Sequence, residues 1–376
     1  MIYLDNSATT KPDPSVLETF NKVSTNYFAN PSSLHNLGAE SEQFYDKVKS
    51  QVARLLKCET NEVIFTSGGT ESNNLAIKGI ANYYKNRGNH IITTEIEHAS
   101  VYKACKQLEE NGFEVTYLKV DSDGVIDLEE LKQAIKKSTI LVSIMHANNE
   151  IGSIQPIEEI AAILKDHKKI QFHTDAVQSF GKLPINLDGI DLLSISGHKL
   201  NGLRGTGVLY VKKGVQIDPL FVGGEQEFNL RSGTENLAGN ASLARAMRLA
   251  LEKYKEVEKM KQLKEGLKDA LKKMPHIYVN TPEKSSPHII HFSVPGINSE
   301  TLIHALAKRD IFVSTQSACS SKSDKISRVL LAVKHDEEIA SSGIRVSLSY
   351  ETTQAELNTF ITVLKEEINK IREVLR

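Results

Sequence analysis

Residues 170–199 read IQFHTDAVQSFGKLPINLDGIDLLSISGHK, and this stretch decides the fold. It holds two short β-branched apolar runs, IQFHT at 170–174 and LLSIS at 192–196, each followed by small and polar residues. Five similar runs flank them: EVIF at 62–65, HIITT at 90–94, EVTYLKV at 114–120, TILVSIM at 139–145 and GVLYV at 207–211. Helical periodicity between several runs supplies the crossovers that parallel strands need. The sequence therefore predicts an α/β protein with a seven-stranded, mainly parallel sheet.

The helical patterns mark the boundaries of further elements. They lie at 75–84, 101–110, 128–136 and 157–166, with Asp127 as a predicted N-cap and Pro156 in the first turn of the last helix. Residues 236–273 read as one long charged helix that leads to a second unit. That unit has predicted strands at 289–294, 311–314 and 343–349 and predicted helices at 299–308, 325–332 and 354–375. We expect a large domain at 13–255 and a smaller α+β domain formed by 1–12 and 256–376.

The composition excludes several classes of protein. The 376 residues include 46 Lys and Arg against 47 Asp and Glu, so no global positive field exists to hold nucleic acid or an acidic membrane. The start, MIYLDNSATT, lacks a basic segment followed by an apolar one, and no run of 18 apolar residues occurs. We therefore expect a cytoplasmic protein without membrane spans. Cys58, Cys105 and Cys319 are odd in number and too far apart for a disulfide framework or a zinc cluster.

A candidate anion site follows the first strand of the predicted sheet. Residues 66–74 read TSGGTESNN, a small-residue turn that runs into a helix, where free N–H groups and the helix dipole favour a phosphate. A βα turn that merely needs glycine and a polar cap fits this segment equally well. The spacing matches neither a nucleoside triphosphate P-loop nor a dinucleotide fingerprint.

Two neighbouring strands end in residues that carry chemistry. Asp175 follows the fifth strand, and Lys199 follows the sixth within SGHK at 196–199. Ligands of open α/β sheets collect beyond the carboxyl ends of the strands, although a lone Asp at a strand end is usually a helix cap. A carboxylate for a pyridinium nitrogen, a lysine for a Schiff base and a phosphate-binding turn are the groups that pyridoxal 5'-phosphate (PLP) requires. Together they predict a PLP site.

The motifs resemble those of cysteine desulfurases of the NifS and IscS kind, which are fold-type I PLP enzymes of the class V aminotransferase family. The resemblance runs nearly end to end, through YLDNSATT (3–10), NPSSLH (30–35), FTSGGTESNN (65–74), EHAS (97–100), NNEIG (148–152), HTDAVQS (173–179), SGHK (196–199), RSGTEN (231–236), SACSS (317–321) and IRVSLS (344–349). It implies a fold-type I PLP-dependent transferase that is active on L-cysteine.

The resemblance also implies a role for individual residues. Lys199 would bear the cofactor, Asp175 would hold the ring nitrogen and Gln178 the phenolic oxygen. His98 would stack on the ring and assist proton transfer; taken alone, it would be read as a surface loop histidine. The phosphate would be held by the turn of Gly69 and by further side chains, which are Thr70, Ser196, His198 and, from a second subunit, Thr234. A homodimer is implied.

The sulfur chemistry is expected to centre on Cys319. It lies at about 314–326 in a stretch with hardly any apolar side chains, so we expect a mobile, accessible loop, whereas Cys58 and Cys105 fit inert packing positions. By the resemblance, the Cys319 thiolate attacks the substrate sulfur, alanine leaves and a persulfide remains. Arg345 would hold the substrate carboxylate, with Asn149 beside the substrate and the cofactor oxygen; from pattern alone, Arg345 could equally be exposed on a sheet surface.

Other histidines and other functions remain as alternatives. His173 shares a strand face with Asp175, but no third ligand supports a metal site there, and His288 and His291 are expected to be ordinary. The alternative functions are a selenocysteine lyase, another class V PLP lyase or aminotransferase, and a non-catalytic sulfur carrier or interaction platform. The sequence ends directly after its last predicted helix, whereas the housekeeping iron–sulfur desulfurases continue into a tail that docks the cluster scaffold. By resemblance to the shorter relatives, we expect the sulfur to pass to tRNA thiolation through a sulfurtransferase.

Overall fold

The computed structural model describes residues 1–315, 326–334 and 336–375. Its strands are β1 (Ile2–Tyr3), β2 (Val63–Thr66), β3 (His90–Thr94), β4 (Glu114–Leu118), β5 (Thr139–Ser143), β6 (Gln171–Asp175), β7 (Leu192–Ser196), β8 (Gly207–Val211), β9 (Tyr278–Val279), β10 (Ile289–Ser293), β11 (Ile311–Phe312) and β12 (Gly343–Ser347). Its α-helices are α1 (Pro14–Asn26), α2 (Asn36–Leu56), α3 (Gly69–Tyr84), α4 (Ala99–Glu110), α5 (Leu128–Ala134), α6 (Ile157–Leu164), α7 (Leu237–Lys253), α8 (Val257–Lys272), α9 (Ser299–Ala307), α10 (Arg328–Lys334), α11 (Glu337–Ser341) and α12 (Gln354–Leu375).

The large sheet confirms the predicted α/β class. Within the described part of the chain it has seven strands in the order β2-β8-β7-β6-β5-β3-β4. Neighbours from β7 through β4 are parallel, and β8 runs antiparallel to both β7 and β2. All seven predicted strands are present, and those at 90–94, 192–196 and 207–211 have the predicted bounds. Because β2, β6 and β7 run in one direction, their carboxyl ends meet at one edge of the sheet.

Four helices begin at the predicted residues, which are 128, 157, 299 and 354. The Asp127 side chain accepts a hydrogen bond from the Glu129 N–H at 2.8 Å and caps α5. The helix α6 begins directly after Pro156. The helix α3 begins at Gly69, earlier than predicted, so the glycine turn itself forms its first turn. The helices α1 and α2 are not among the predicted elements.

The predicted single helix at 236–273 is wrong. A 3-10 turn at Tyr254–Glu256 separates α7 from α8. The two helices bury different apolar stripes: α7 packs Leu243 and Met247 into the core beneath the large sheet, and α8 packs Leu267 and Leu271 into a second core. Each segment is amphipathic toward its own core, and the break lets both faces be buried.

The second core lies around a small sheet of the order β12-β10-β9, which is antiparallel. The chain start joins this part of the molecule, because β1 pairs in parallel with β11 and Leu4 packs in the same apolar cluster as Phe292. Residues 5–10 therefore leave the second core and run toward the edge of the large sheet. No helix among the described residues is long and apolar enough to cross a bilayer.

Candidate active site

A cavity of about 610 Å³ opens at the carboxyl ends of β2, β6 and β7. It is lined by ten residues that the sequence singles out, which are Gly69, Thr70, His98, Asn149, Asp175, Gln178, Ser196, His198, Lys199 and Arg345. The sheet topology thus gathers side chains from the whole length of the chain into one site. Asp5 and Ser7 also line the cavity, although the sequence analysis assigned no role to them.

Two other predicted site residues are not brought to this cavity. Thr234 is exposed and is not among the residues that line it. Cys319 lies outside the described residues, as does most of the predicted loop around it. The described part of one chain therefore brings ten of the twelve predicted site residues into one cavity.

The turn before α3 forms a cradle for an anion. Gly68 adopts a φ of +148°, which favours glycine, and α3 begins at the next residue. A Cβ added at Gly69 would approach Val177 Cγ2 to 2.7 Å, so only glycine lets the turn lie this close to β6. The buried hydroxyl of Ser196 beside the turn has no hydrogen-bond partner among the described residues. An unpaired donor at a helix N-terminus fits a phosphate group.

Asp175 is a buried carboxylate at the end of β6. Its Oδ2 accepts a hydrogen bond from Asn73 at 2.7 Å, and its Oδ1 accepts one from the Val177 N–H at 2.9 Å. Burial raises the pKa of Asp175, while these two bonds and the Lys199 charge act in the opposite direction. A buried carboxyl of this kind gains most from a cationic partner, and the protonated nitrogen of a pyridine ring is such a partner.

Lys199 extends from the end of β7 toward the N-terminal segment. Its Nζ donates to the carbonyl oxygens of Ser7 and Ala8, the second at 2.8 Å. The Gln178 amide also donates to the Ser7 oxygen, at 3.1 Å, and its own oxygen lies 3.3 Å from His288 Nε2. The residues after β1 therefore close the site beside the lysine. No local pattern in the sequence indicates this contact.

His98 caps α4 and lines the cavity. Its Nδ1 accepts a hydrogen bond from the Ser100 N–H at 3.2 Å, which leaves the proton of the neutral ring on Nε2. Burial lowers the pKa of His98 to about 4, and the Lys199 charge acts in the same direction. The ring is therefore neutral at pH 7, and the surface-loop interpretation is wrong.

Arg345 lies in β12 and is only 1% exposed, so the alternative of an exposed arginine is also wrong. Its Nη1 donates to the Asn149 carbonyl at 2.9 Å. Its Nη2 donates to Asp5 Oδ1 at 3.0 Å and to Ser314 Oγ at 2.8 Å. The guanidinium thus links the second core to the large sheet at the wall of the cavity.

The remaining candidate residues lie in ordinary packing environments. His173 is buried, with Ser143 Oγ 2.8 Å from Nδ1 and Ser194 Oγ 3.0 Å from Nε2. Burial raises the pKa of both Cys58 and Cys105 to about 12, so both stay as thiols. Residues 1–315, 326–334 and 336–375 contain no cluster of His, Cys, Asp and Glu that could hold a metal ion.

Fold and site together define the class of protein. A lysine, a buried carboxylate and an anion cradle at the carboxyl edge of a mainly parallel sheet are the groups of a PLP-dependent enzyme. A family model described as Aminotransferase class-V matches residues 2–360. The chain therefore belongs to the class V aminotransferase family.

Individual relatives carry more specific names than the family. The chain is 44% identical over 378 residues to "Cysteine desulfurase IscS" of Dictyoglomus turgidum, covering 99% of this chain and 96% of the relative. A solved structure named "NIFS-LIKE PROTEIN" superposes with a TM-score of 0.92 at 40% identity and covers 98% of this chain and 99% of its own. A second, "SspA in complex with cysteine", has a TM-score of 0.81 at 33% identity, covering 94% and 100%.

Proposed function

We propose specific roles for the cavity residues of this chain, which is a PLP-dependent cysteine desulfurase of the NifS and IscS kind. The observation that carries the proposal is the meeting of Lys199, Asp175 and the cradle at Ser196 in one cavity with a buried arginine. The reaction converts L-cysteine and the Cys319 thiol into L-alanine and a Cys319 persulfide. Atoms balance, because one sulfur atom moves from the substrate to the enzyme.

In this proposal each group of the cavity holds one part of the cofactor. Lys199 forms the covalent link, Asp175 holds the ring nitrogen and Gln178 the phenolic oxygen. Thr70, Ser196 and His198 bind the phosphate, with Gly69 allowing the close approach. Bound PLP would supply a cationic ring that withdraws electrons from Cα of the substrate, which weakens the Cα–H bond and prepares the neighbouring Cβ–S bond for cleavage.

Arg345 and Asn149 are proposed to bind the substrate. The guanidinium is buried, permanently charged and planar, and these properties suit a carboxylate held by two parallel hydrogen bonds. The solved relative in complex with cysteine supports L-cysteine as the ligand. Asn149 lines the same cavity, and its carbonyl oxygen accepts a hydrogen bond from Arg345, which holds the two residues side by side.

His98 is proposed to transfer the proton that leaves or returns at the α-carbon of the substrate. Its ring is neutral at pH 7 because burial lowers the pKa, so it can accept a proton. The Nδ1 bond to the Ser100 N–H fixes the ring orientation. Cys319 is proposed to attack the substrate sulfur as a thiolate.

A second copy of the chain is proposed to complete the phosphate site with Thr234. Within one chain this residue is exposed and lies away from the cavity. The preceding segment also exposes large apolar side chains: Phe221 is 52% exposed, Val222 86% and Phe228 50%. Burial of such a patch against a second subunit would stabilise a homodimer.

The domain division and the destination of the sulfur complete the proposal. The apolar cluster that joins Leu4 to Met260 and Phe360 supports a small domain made of residues 1–12 and 256–376, beside a large domain of 13–255. The persulfide sulfur passes to an acceptor protein, either a tRNA sulfurtransferase or an iron–sulfur scaffold, in the cytoplasm. Side-by-side transfer assays with both acceptors distinguish the two routes.

Two variants test the central roles separately. Lys199→Ala should lose the visible absorption band of the covalently bound cofactor together with activity. Cys319→Ser should keep that band and lose sulfide release, because the cofactor site is intact while the attacking thiol is gone. Cys58→Ser is the matched control and should retain both properties, since its thiol is protonated and lies away from the cavity. Full desulfurase activity in Cys319→Ser would refute the assignment of the nucleophile.

A further inference from the structure

An ion pair between a buried arginine and a partly exposed aspartate joins the start of the chain to the wall of the cavity. Asp5 follows β1, and its Oδ1 lies 3.0 Å from Nη2 of Arg345 in β12. Both residues line the cavity. Arg345 is 1% exposed, so its charge needs a partner within the protein, and Asp5 is the carboxylate that supplies it.

The hydrogens of the guanidinium are unevenly engaged. A guanidinium offers five N–H donors in a fixed plane. Nη2 donates to both Asp5 Oδ1 and Ser314 Oγ, the second at 2.8 Å. Ser314 Oγ donates in turn to Asp5 Oδ1 at 2.8 Å, so Arg345, Asp5 and Ser314 are all hydrogen-bonded to one another. Nη1 donates to Asn149, while the buried Nε has no partner among the described residues.

This pattern decides how a second carboxylate can bind. A carboxylate takes two parallel hydrogen bonds from a guanidinium either at the edge of Nε and Nη2 or at the edge of Nη1 and Nη2. Both edges include Nη2. A substrate carboxylate held by two bonds therefore competes with Asp5 and Ser314, which already accept hydrogen bonds from Nη2.

We propose that Asp5 is a resident competitor for Arg345: it holds the guanidinium before substrate binds, and the α-carboxylate of the substrate then takes its place on Nη2. This inference rests on the proposed role of Arg345. The charge of the buried Arg345 guanidinium stays compensated before and after substrate binds, because the substrate carboxylate replaces that of Asp5. The measured affinity for the substrate then depends on the difference between two free energies, that of the contact between Arg345 and the substrate carboxylate and that of the contact between Arg345 and Asp5. The negative charge of Asp5 therefore lowers the affinity.

The test compares a ligand that has a carboxylate with one that lacks it. L-alanine carries the carboxylate and no sulfur, and ethylamine is L-alanine without the carboxylate. Calorimetry on holoenzyme should show that L-alanine binds about tenfold more tightly to Asp5→Asn than to wild type, since a charge-assisted contact becomes a weaker neutral one. Ethylamine should bind both proteins equally. Ser314→Ala should also raise the affinity for L-alanine, by a smaller factor.

Several results would overturn the inference. Equal or weaker L-alanine binding to Asp5→Asn would mean that Asp5 only supports Arg345, and an equal gain for ethylamine would indicate a general change of the cavity. If Asp5→Asn does not fold, as judged by thermal unfolding, Ser314→Ala carries the same comparison. Arg345→Lys tests separately whether Arg345 binds the substrate carboxylate at all. An unchanged ratio of L-alanine to ethylamine affinity in this variant would refute that role and the competition by Asp5 with it. A lowered ratio together with unchanged L-alanine binding in Asp5→Asn would refute the competition alone.

Discussion

A single methyl group at Gly207 should disturb the phosphate cradle, although this residue is not in the cradle. Gly207 begins β8 and lies opposite both Thr66 on β2 and Ser196 on β7. A Cβ at this position would lie 2.6 Å from Gly68 Cα and 2.8 Å from Gly68 N. Ordinary carbon contacts are about 3.5 Å or longer, so the Gly68 turn must move by almost 1 Å. We expect Gly207→Ala to displace the backbone of the proposed phosphate site.

The cost of this displacement can be bounded. Extra methyl groups in a packed site cost about 1–3 kcal/mol, which corresponds to roughly 5- to 150-fold in an equilibrium constant. The cost appears as weaker PLP affinity if the turn moves, and as a lower free energy of unfolding if it stays. Titration of the apoprotein with PLP, followed by visible absorbance, measures the first. Urea unfolding of the apoprotein measures the second.

A second glycine provides the control for this prediction. Gly266 lies within α8, and a Cβ there would meet no described atom within 4 Å. Gly266→Ala should leave PLP affinity unchanged and stabilise the helix by about 0.5–1 kcal/mol. If Gly207→Ala binds PLP and unfolds like wild type, the steric argument is refuted.

Three further predictions concern buried charge and pH. Glu227→Ala should lower the free energy of unfolding by about 1–3 kcal/mol in urea titrations, because it leaves three buried donors without their acceptor, which are the Lys49 amine, the Tyr45 hydroxyl and the Phe65 N–H. Burial lowers the pKa of Lys49 to about 7, so the amine can lose its proton and no uncompensated charge remains; an unchanged stability would contradict this prediction. Burial lowers the pKa of His173 to about 3, below the usual value near 6.5, so its contribution is complete above pH 6.5 and is lost as the pH falls toward 3. When the pH is lowered from 7 to 5, the free energy of unfolding should therefore fall by about 2 kcal/mol less in His173→Gln than in wild type. Urea unfolding at the two pH values measures this, and an equal fall in both proteins would contradict the prediction. Asp175→Asn should reduce the kcat of fully PLP-loaded enzyme by roughly 10²-fold or more, since the amide cannot compensate a cationic ring, and near-normal turnover would refute the role of Asp175.

The sheet and three groups of the cavity, which are Asp175, Lys199 and the turn at 66–74, were predictable from local sequence, whereas the roles of the other cavity residues came from the resemblance to cysteine desulfurases. Strands that are buried on both faces read as continuous β-branched runs, and the bounds of β3, β7 and β8 follow from this. Lys199 and Asp175 could be placed together because the carboxyl ends of parallel strands share one edge. The roles of Cys319 and Thr234 stay predictions, since Cys319 lies outside the described residues and Thr234 outside the cavity of one chain.

Contacts between distant segments could not be predicted in this way. Asp5 reaches Arg345 because the first residues of the chain pair with distant strands: β1 pairs with β11, and Asp5 itself forms a bridge with Ser347 of β12. The break between α7 and α8 was missed because both segments have helical periodicity, and only their two separate cores require the chain to turn. Glu227 likewise looks like a solvated charge in the sequence and proves to be buried beside Tyr45 and Lys49.

The amino-acid order alone determined the α/β class, the strands and the set of groups that PLP chemistry needs, because periodicity and strand ends are local properties of the chain. Only the tertiary structure decided which groups surround them: the carbonyls of Ser7 and Ala8 at Lys199, the unpaired Ser196 hydroxyl at the cradle, and the Asp5 carboxylate on Arg345. Those contacts join segments that are far apart in sequence, and their energies arise only when packing removes water from both partners.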